Sequence, residues 1–480
     1  MREPRGVIAA GHRLTADAGA DVLRAGGTAV DAAIAALAMA CVCEPVLCTP
    51  GGGGFAMIRD GAGGVSLLDF FPQTPVRRES GALEPQVVRA DFGPATQAFH
   101  VGPAATATPG FFSGIAALHR AAGSFPLDDL FSAAITAARA GVTVTPFQHH
   151  LATVVRPILV ATPGATELFV PDGEVLPAGG RFRNPELADA LAVLARDGFA
   201  DSDVGRACLA QQAGRGHLTA ADLDRYEVIE RSPLAVRVGT TTVHLNPLPA
   251  ASGTLVAHSL AQLDSSDPVA FARAGFATSE ARRRSEGDLA GLAVGILRQR
   301  GTTHISIVDA AGTACAVTVS NGEGNGELVE GYGFMLNNVL GEEDVNAAGT
   351  DWPLDTRLSS MMCPTLIELA DGGLVALGSG GSNRIRSAIA QVVAHLCLGG
   401  QDPRSAVEAP RLHVEGDHLD FEDRLDATTR QALREAFPQH RAWPRPDLFF
   451  GGVHLARRDA DGRFDGIGDA RRDGAAVVVD

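Results

Sequence analysis

The stretch from Thr302 to Ser320 constrains this chain most. Thr302-Thr-His-Ile-Ser-Ile-Val-Asp309 alternates with period two, Ala310-Ala-Gly312 offers a turn, and Thr313-Ala-Cys-Ala-Val-Thr-Val-Ser320 alternates again. Successive strand side chains point to opposite faces, so this pattern predicts a β-hairpin with one buried face. A second hairpin is expected from Pro364–Ala370, an Asp371-Gly-Gly turn and Leu374–Leu377. It runs through Gly378-Ser-Gly-Gly-Ser-Asn383 into an apolar helix from about Arg384 to Cys397.

The first half has a different character. Thr15 is placed to cap a helix ending at Gly26-Gly27, and Thr28 to cap another that ends before Pro45. Gly51 to Gly54 form a turn that feeds a short apolar strand. Apolar residues at three-to-four spacing mark helices between about 109 and 200, as in Leu127–Ala138 and Glu186–Asp197. Residues 218–226 suit a capped short helix, 246–253 a rigid loop, and 270–301 an exposed, weakly ordered segment.

Composition excludes more than it assigns. A chain of 480 residues with 45% hydrophobic content can bury a large core, and sheet-based enzymes of this length often form one unit. The net charge of −16 leaves no electrostatic footprint for nucleic acid or an anionic membrane. All 40 basic residues are arginine, which removes a P-loop lysine, a Schiff-base lysine and a Ser–Lys dyad together. The 7 cysteines show neither CxxC pairs nor zinc-like spacing, which suits small buried thiols in a reducing compartment. No metal and no organic cofactor is expected. The apolar run Ala29–Cys43 is too short to span a bilayer and suits a buried helix. With no secretory pattern at residues 1–6, a cytoplasmic location is expected.

Two features of the second half belong together chemically. Gly301-Thr302 opens a strand with a hydroxyl, and the turn 378–383 offers backbone N–H groups at a helix start. One could supply a nucleophile and the other an oxyanion hole. A threonine hydroxyl is weak alone, but a cut before Thr302 would free an α-amine with a pKa near 8 to act as its base. Glycine at 301 would tolerate a strained backbone during such a cut. The plain alternative is a strand that happens to begin with two threonines. Phosphate binding by the turn is disfavoured, since G-x-G-x-x-G spacing and a parallel βαβ context are both missing. His304 is expected to be a packing or hydrogen-bonding residue.

The motifs as an ordered set resemble the γ-glutamyltransferase family of N-terminal nucleophile hydrolases. They are Ala25–Ala33, Gly51–Phe55, Leu68-Asp-Phe70, Ala107-Thr-Pro-Gly110, Leu218–Leu223, Pro247–Gly253, Thr302–Asp309, Leu336-Asn-Asn338, Leu358-Ser-Ser-Met361 and Gly378–Ile385. The resemblance implies an α+β fold, a four-layer αββα sandwich. It also implies a precursor cut between Gly301 and Thr302 into a large chain 1–301 and a small chain 302–480. The two chains stay associated as one structural domain. Thr302 would be the nucleophile, Ser320 the hydroxyl that steadies its amine, and Gly381 and Ser382 the oxyanion pair. Ser359 and Ser360 match serines that hold a substrate carboxylate. Asn321 lies beside a family asparagine for the substrate amine. Glu342, with Glu343 and Asp344 as neighbours, fits the acidic position for that amine.

Some positions depart from the family pattern. Asp69-Phe70-Phe71 stands where the family has Asp-Phe-Arg, so the arginine for a glutamyl carboxylate is missing. A bidentate guanidinium–carboxylate contact is worth on the order of 1.5–3 kcal/mol, which a phenyl ring cannot replace. Arg77, Arg78 and Arg357 are the substitutes to examine. The segment 339–357 is short for a lid, which favours an open pocket. The expected activity is hydrolysis or transfer of the acyl group of a small-molecule γ-glutamyl amide such as glutathione. The alternatives are an acylase acting on a non-glutamyl N-acyl substrate, and an uncleaved binding scaffold. Homo-oligomerisation stays open.

Overall fold

A computed structural model describes residues 4–91, 96–284, 301–341 and 352–480. Two antiparallel sheets lie face to face. The first has seven strands in the order Ala475–Val479, Gly6–Ala10, Thr303–Asp309, Ala314–Ser320, Gly53–Arg59, Val65–Phe70 and Ile229–Arg231. The second has six, ordered Phe464–Ile467, Gly452–Arg458, Leu374–Gly380, Thr365–Glu368, Thr241–Leu245 and Leu234–Val238. Helices Arg13–Ala25 and Ala29–Cys43 cover the outer face of the first sheet, and Arg384–Cys397 with Ala251–Leu260 cover the second. The architecture is the expected α+β sandwich of four layers, αββα.

Strand periodicity divides the core in two. Ile8, Ala56, Leu68, Ile305, Ile307, Cys315 and Val317 face the first helical layer. Val7, Phe55, Met57, Leu67, Val308, Ala314 and Ala316 belong to the core shared with the second sheet. The hairpin 303–320 is therefore buried on both faces, not on one as its alternation suggested. Central strands of a four-layer fold meet a helix on one side and a sheet on the other. The polar residues of the pattern are buried as well, and they have partners. His304 lies between Thr318 Oγ1 and Ser306 Oγ, both at 2.8 Å.

Local signals mostly placed the helices well. Thr28 and Asp31 form a reciprocal capping box on Ala29–Cys43, and Thr219 with Asp222 form another on Ala220–Arg225. Thr15 is a correction. His12 Nδ1 caps Arg13–Ala25, while Thr15 lies inside that helix and donates its hydroxyl to Glu44 Oε1 at 2.7 Å. The segment from 270 is also ordered to Arg284. It forms helix Pro268–Arg284, which buries Phe271, Ala272, Ala274 and Thr278. Pro247–Ala250 is a loop as expected, but Ala251 already begins a helix.

Candidate active site around Thr302

Thr302 precedes the central strand Thr303–Asp309 and is 5% exposed. Residues of one parity share a face, so Thr302 lies on the side of His304 and Val308, toward the second sheet. A Cβ on Gly380 would stand 2.3 Å from the Thr302 carbonyl oxygen, and one on Gly378 would overlap the His304 ring. The glycines of the second hairpin thus let the two sheets close where the candidate nucleophile enters. Thr303 faces the other way and donates to Glu44 Oε2 at 2.7 Å.

The Gly301–Thr302 linkage is held at both ends of Gly301. Ser320 Oγ donates to the Gly301 carbonyl at 2.5 Å and accepts from Gly322 N–H at 3.0 Å. The Gly301 N–H donates to Glu323 Oε1 at 3.0 Å. A Cβ at 301 would lie 2.6 Å from the Gly322 carbonyl oxygen and 2.9 Å from that of Val46. The reason for glycine here is therefore room. Gly301 is not among the positive-φ residues.

The turn after Leu374–Gly380 carries unusual backbone. Gly381 has φ 123°, and Ser382 has φ 53° in the left-handed region, a conformation that costs a non-glycine residue about 1–3 kcal/mol. Arg384 N–H and Ile385 N–H then bond back to the Gly381 and Ser382 carbonyls, starting helix Arg384–Cys397. Such strain persists where surrounding structure enforces it, often at functional sites.

Other expected site residues divide into three groups. Asn321 follows Ser320 and is 1% exposed, and neither its Oδ1 nor its Nδ2 has a hydrogen-bond partner among the described residues. That is a buried amide with capacity to spare beside the Gly301–Thr302 linkage. Ser359 and Ser360 sit on another segment, against the loop before Ala251. Ser359 Oγ donates to the Pro249 carbonyl at 2.8 Å, and Ser360 Oγ accepts from Met362 N–H at 3.1 Å. Glu342, Glu343 and Asp344 lie outside the described residues.

None of the three arginines proposed as substitutes at the Phe71 position presents a free guanidinium. Arg357 is buried, donating to the carbonyls of Asp69, Phe71 and Glu227 and to Tyr226 Oη, with its guanidinium over the Tyr226 ring. Arg78 donates to the Trp352 carbonyl and lies over that indole, and Arg77 pairs with Glu79. Phe71 itself stacks on Phe55 with ring centroids 5.5 Å apart. A cavity of about 510 Å³ bordered by Arg78, His100, His217 and Trp352 shares no lining residue with the surroundings of Thr302.

Asn337 and Asn338 act as clamps. Asn337 Nδ2 donates to the Gly51 and Ala107 carbonyls, while Asn338 Oδ1 accepts from Glu323 N–H. They tie the glycine run, the 107–110 segment and Glu323 together.

Two carboxyls near Thr302 were not anticipated. Glu323 lies 22 residues beyond Gly301, and no local pattern marks it. Glu44 is fully buried, and burial pushes its carboxyl up to about 7, against hydrogen bonds from Thr15 and Thr303 that favour ionisation. Its position just before Pro45, at the end of a helix that is apolar from Ala32 to Cys43, was the available signal. His304 is held well below its ordinary pKa by burial and by His454, so it stays neutral.

Comparison with known proteins finds relatives along nearly the whole chain. The family model described as Gamma-glutamyltranspeptidase matches residues 15–284 and 275–479. An acylase, "Acylase ACY 1 proenzyme" of Pseudomonas sp. (strain V22), is 27% identical over 99% of this chain and 94% of its own length. The "Glutathione hydrolase proenzyme" of Escherichia coli (strain K12) is 25% identical over 86% of this chain and 81% of its own. The crystal structure of cephalosporin acylase from Bacillus halodurans superposes with a TM-score of 0.83 at 21% identity, covering 99% of this chain and 96% of that one, a likeness of fold. Among the described residues no helix is long and apolar enough to cross a membrane.

Proposed function

The chain belongs to the gamma-glutamyltranspeptidase family, and within it we propose a self-processing amide hydrolase and acyltransferase that uses Thr302 as nucleophile. The observation that carries this reading is the bond from Ser320 Oγ to the Gly301 carbonyl, the carbonyl Thr302 would attack to release itself. In self-cleavage, Thr302 Oγ adds to that carbonyl and Ser320 polarises it. The amide becomes an ester, which water then opens. The products are the chains 1–301 and 302–480 and a free Thr302 α-amine.

In turnover, the amine takes the Oγ proton as Oγ attacks the substrate carbonyl. The N–H groups of Gly381 and Ser382 receive the oxyanion. The protonated amine passes its proton to the departing nitrogen, and water or an acceptor amine then releases the acyl group. Asn321, with its unpaired amide, and Ser359 and Ser360 are the proposed substrate-binding groups, together with Glu342 or Asp344.

Two acyl classes are to be tested. γ-Glutamyl amides such as glutathione suit the family relation. The stacked Phe71 and the buried Arg357, whose Nη1 and Nη2 are both taken up by the protein, favour the second class, a non-glutamyl N-acyl amide. Intact mass of the parent and of Thr302→Ala tests the mechanism. The parent should give fragments of about 31 and about 18 kDa, in proportion to 301 and 179 of the 480 residues sharing 49.6 kDa. The variant should stay whole. A parent chain that stays at full length after long incubation would overturn the reading and leave the uncleaved scaffold. Release rates from γ-glutamyl-p-nitroanilide and phenylacetyl-p-nitroanilide then decide between the acyl classes.

A further inference from the structure

Arg472 lies against the same turn. Its stem covers Gly452, where a Cβ would meet the Arg472 Cβ, Cγ and Cδ at 2.8–3.0 Å. Its Nη1 is 3.1 Å from the point a Gly380 Cβ would occupy, and its Nη2 is 3.1 Å from the matching point on Gly381. The Thr302 carbonyl oxygen and carbon lie 2.3 and 3.1 Å from that same Gly380 point. Guanidinium, turn and Thr302 backbone therefore share one contact shell. Arg472 is 4% exposed, and its Nε and Nη1 have no hydrogen-bond partner among the described residues. Burial pushes it down to about 10, with Asp469 and Asp447 pulling the other way, so it is charged at neutral pH.

Asp469 and Asp447 offset that charge only in part, and neither is bonded to it. Asp469 is held by Arg411 and Arg471, and Asp447 accepts from Phe449 N–H. Burial keeps His304 and His454 neutral. Glu44 meets Thr303 on the opposite face of the strand, and Asp473 lies close enough to raise the Glu44 carboxyl further. Glu323 is bonded to the Gly301 N–H. A buried cation without a partner is unfavourable, and a second positive charge close to it is disfavoured in turn.

We propose that Arg472 is a positioning residue for the Thr302 chemistry: its unpaired guanidinium keeps the freed Thr302 α-amine in the neutral form a base requires, and the same field favours the oxyanion beside Gly381. The inference rests on the reading of Thr302 as a self-released nucleophile.

The test titrates that amine directly. Cyanate carbamylates neutral amines, and residues 302–480 contain no lysine, so the α-amine is the one amine on the small chain. Its modification is followed by mass against pH in the processed protein. The parent midpoint should lie at least about one pH unit below the ordinary value near 8. Arg472→Gln should raise it by about one unit, and Arg472→Lys should stay near the parent when modification is scored on the fragment that begins at Thr302, since the new lysine is a second amine. A parent midpoint at or above about 8, or an unchanged midpoint in Arg472→Gln, overturns the proposal. If Arg472→Gln fails to mature, the parent midpoint and Arg472→Lys still decide. A parent that never cleaves defeats the Thr302 reading instead, which is a separate outcome.

Discussion

Arg471 and Arg472 are neighbours in the chain and opposites in the fold. Arg471 points into an ion network beneath helix Arg384–Cys397. It grips Glu422 with Nε and Nη2 at 2.6 and 2.7 Å and meets Asp469 at 3.1 Å. Asp469 also takes Arg411, and Glu422 takes Arg424. Arg472, one residue on, faces the sheet ends with no such partner among the described residues. A buried charge with its full set of partners holds parts of the fold together. One left bare beside a candidate nucleophile is open to influence what ionises there.

The largest stability effect should come from breaking the saturated side. In the Thr302→Ala background, where each protein is a single chain, Arg471→Gln should cost about 3–5 kcal/mol, because two buried carboxylates lose a cation. Arg472→Gln should cost little or even stabilise, since no pairing is lost. Thermal midpoints of the two variants check this, and equal losses would erase the distinction.

Glu44 sharpens the comparison from the anionic side. Its folded pKa of about 7 exceeds the ordinary carboxyl value, so the folded state holds the proton more tightly. The stability this contributes is fully present below about pH 4.5 and is lost as pH rises to about 7. Glu44→Gln should therefore change little at pH 4 and stabilise by on the order of 3 kcal/mol above pH 7. Urea midpoints across that range test the sign.

The smallest effect concerns the linkage itself. Ser320→Ala removes the donor to the Gly301 carbonyl and strands the Gly322 N–H. It should slow appearance of the small chain about tenfold, the cost of one hydrogen bond. An unchanged rate would mean that Ser320 only braces the loop.

Much of the architecture was legible locally. The alternation of 302–320, the capping boxes at Thr28 and Thr219, and the apolar helix Arg384–Cys397 each rest on neighbours a few residues apart, which a linear pattern records. Gly301-Thr302 and the turn 378–383 were found in the same way, while Ser320 and the pair Gly381 and Ser382 came from the family resemblance; the fold brings Thr302, Ser320 and the glycines of that turn to one place. The misreadings have a common cause. Thr15 looks like a cap until Glu44 is seen beside it, 29 residues away. Arg357 looks like a spare cation until Asp69, Phe71 and Tyr226 surround it. The start of the segment 270–301 looks exposed until the strand Leu412–Glu415 packs on its helix; residues 285–300 lie outside the described residues.

What the sequence alone determined is the two hairpins of the second half, several of the helices, the family relation and the identity of the candidate nucleophile. These depend on periodicity and on motif order. Only the tertiary structure decided that the hairpin is buried on both faces, that Gly301 is glycine for lack of room, and that Glu44 and Glu323 attend the linkage. It also decided that Arg471 is paired while Arg472 is not. Pairing and burial depend on what lies within a few ångströms in space. Thr303 and Glu44, 259 residues apart in the chain and 2.7 Å apart in the fold, show why order along the chain does not carry that information.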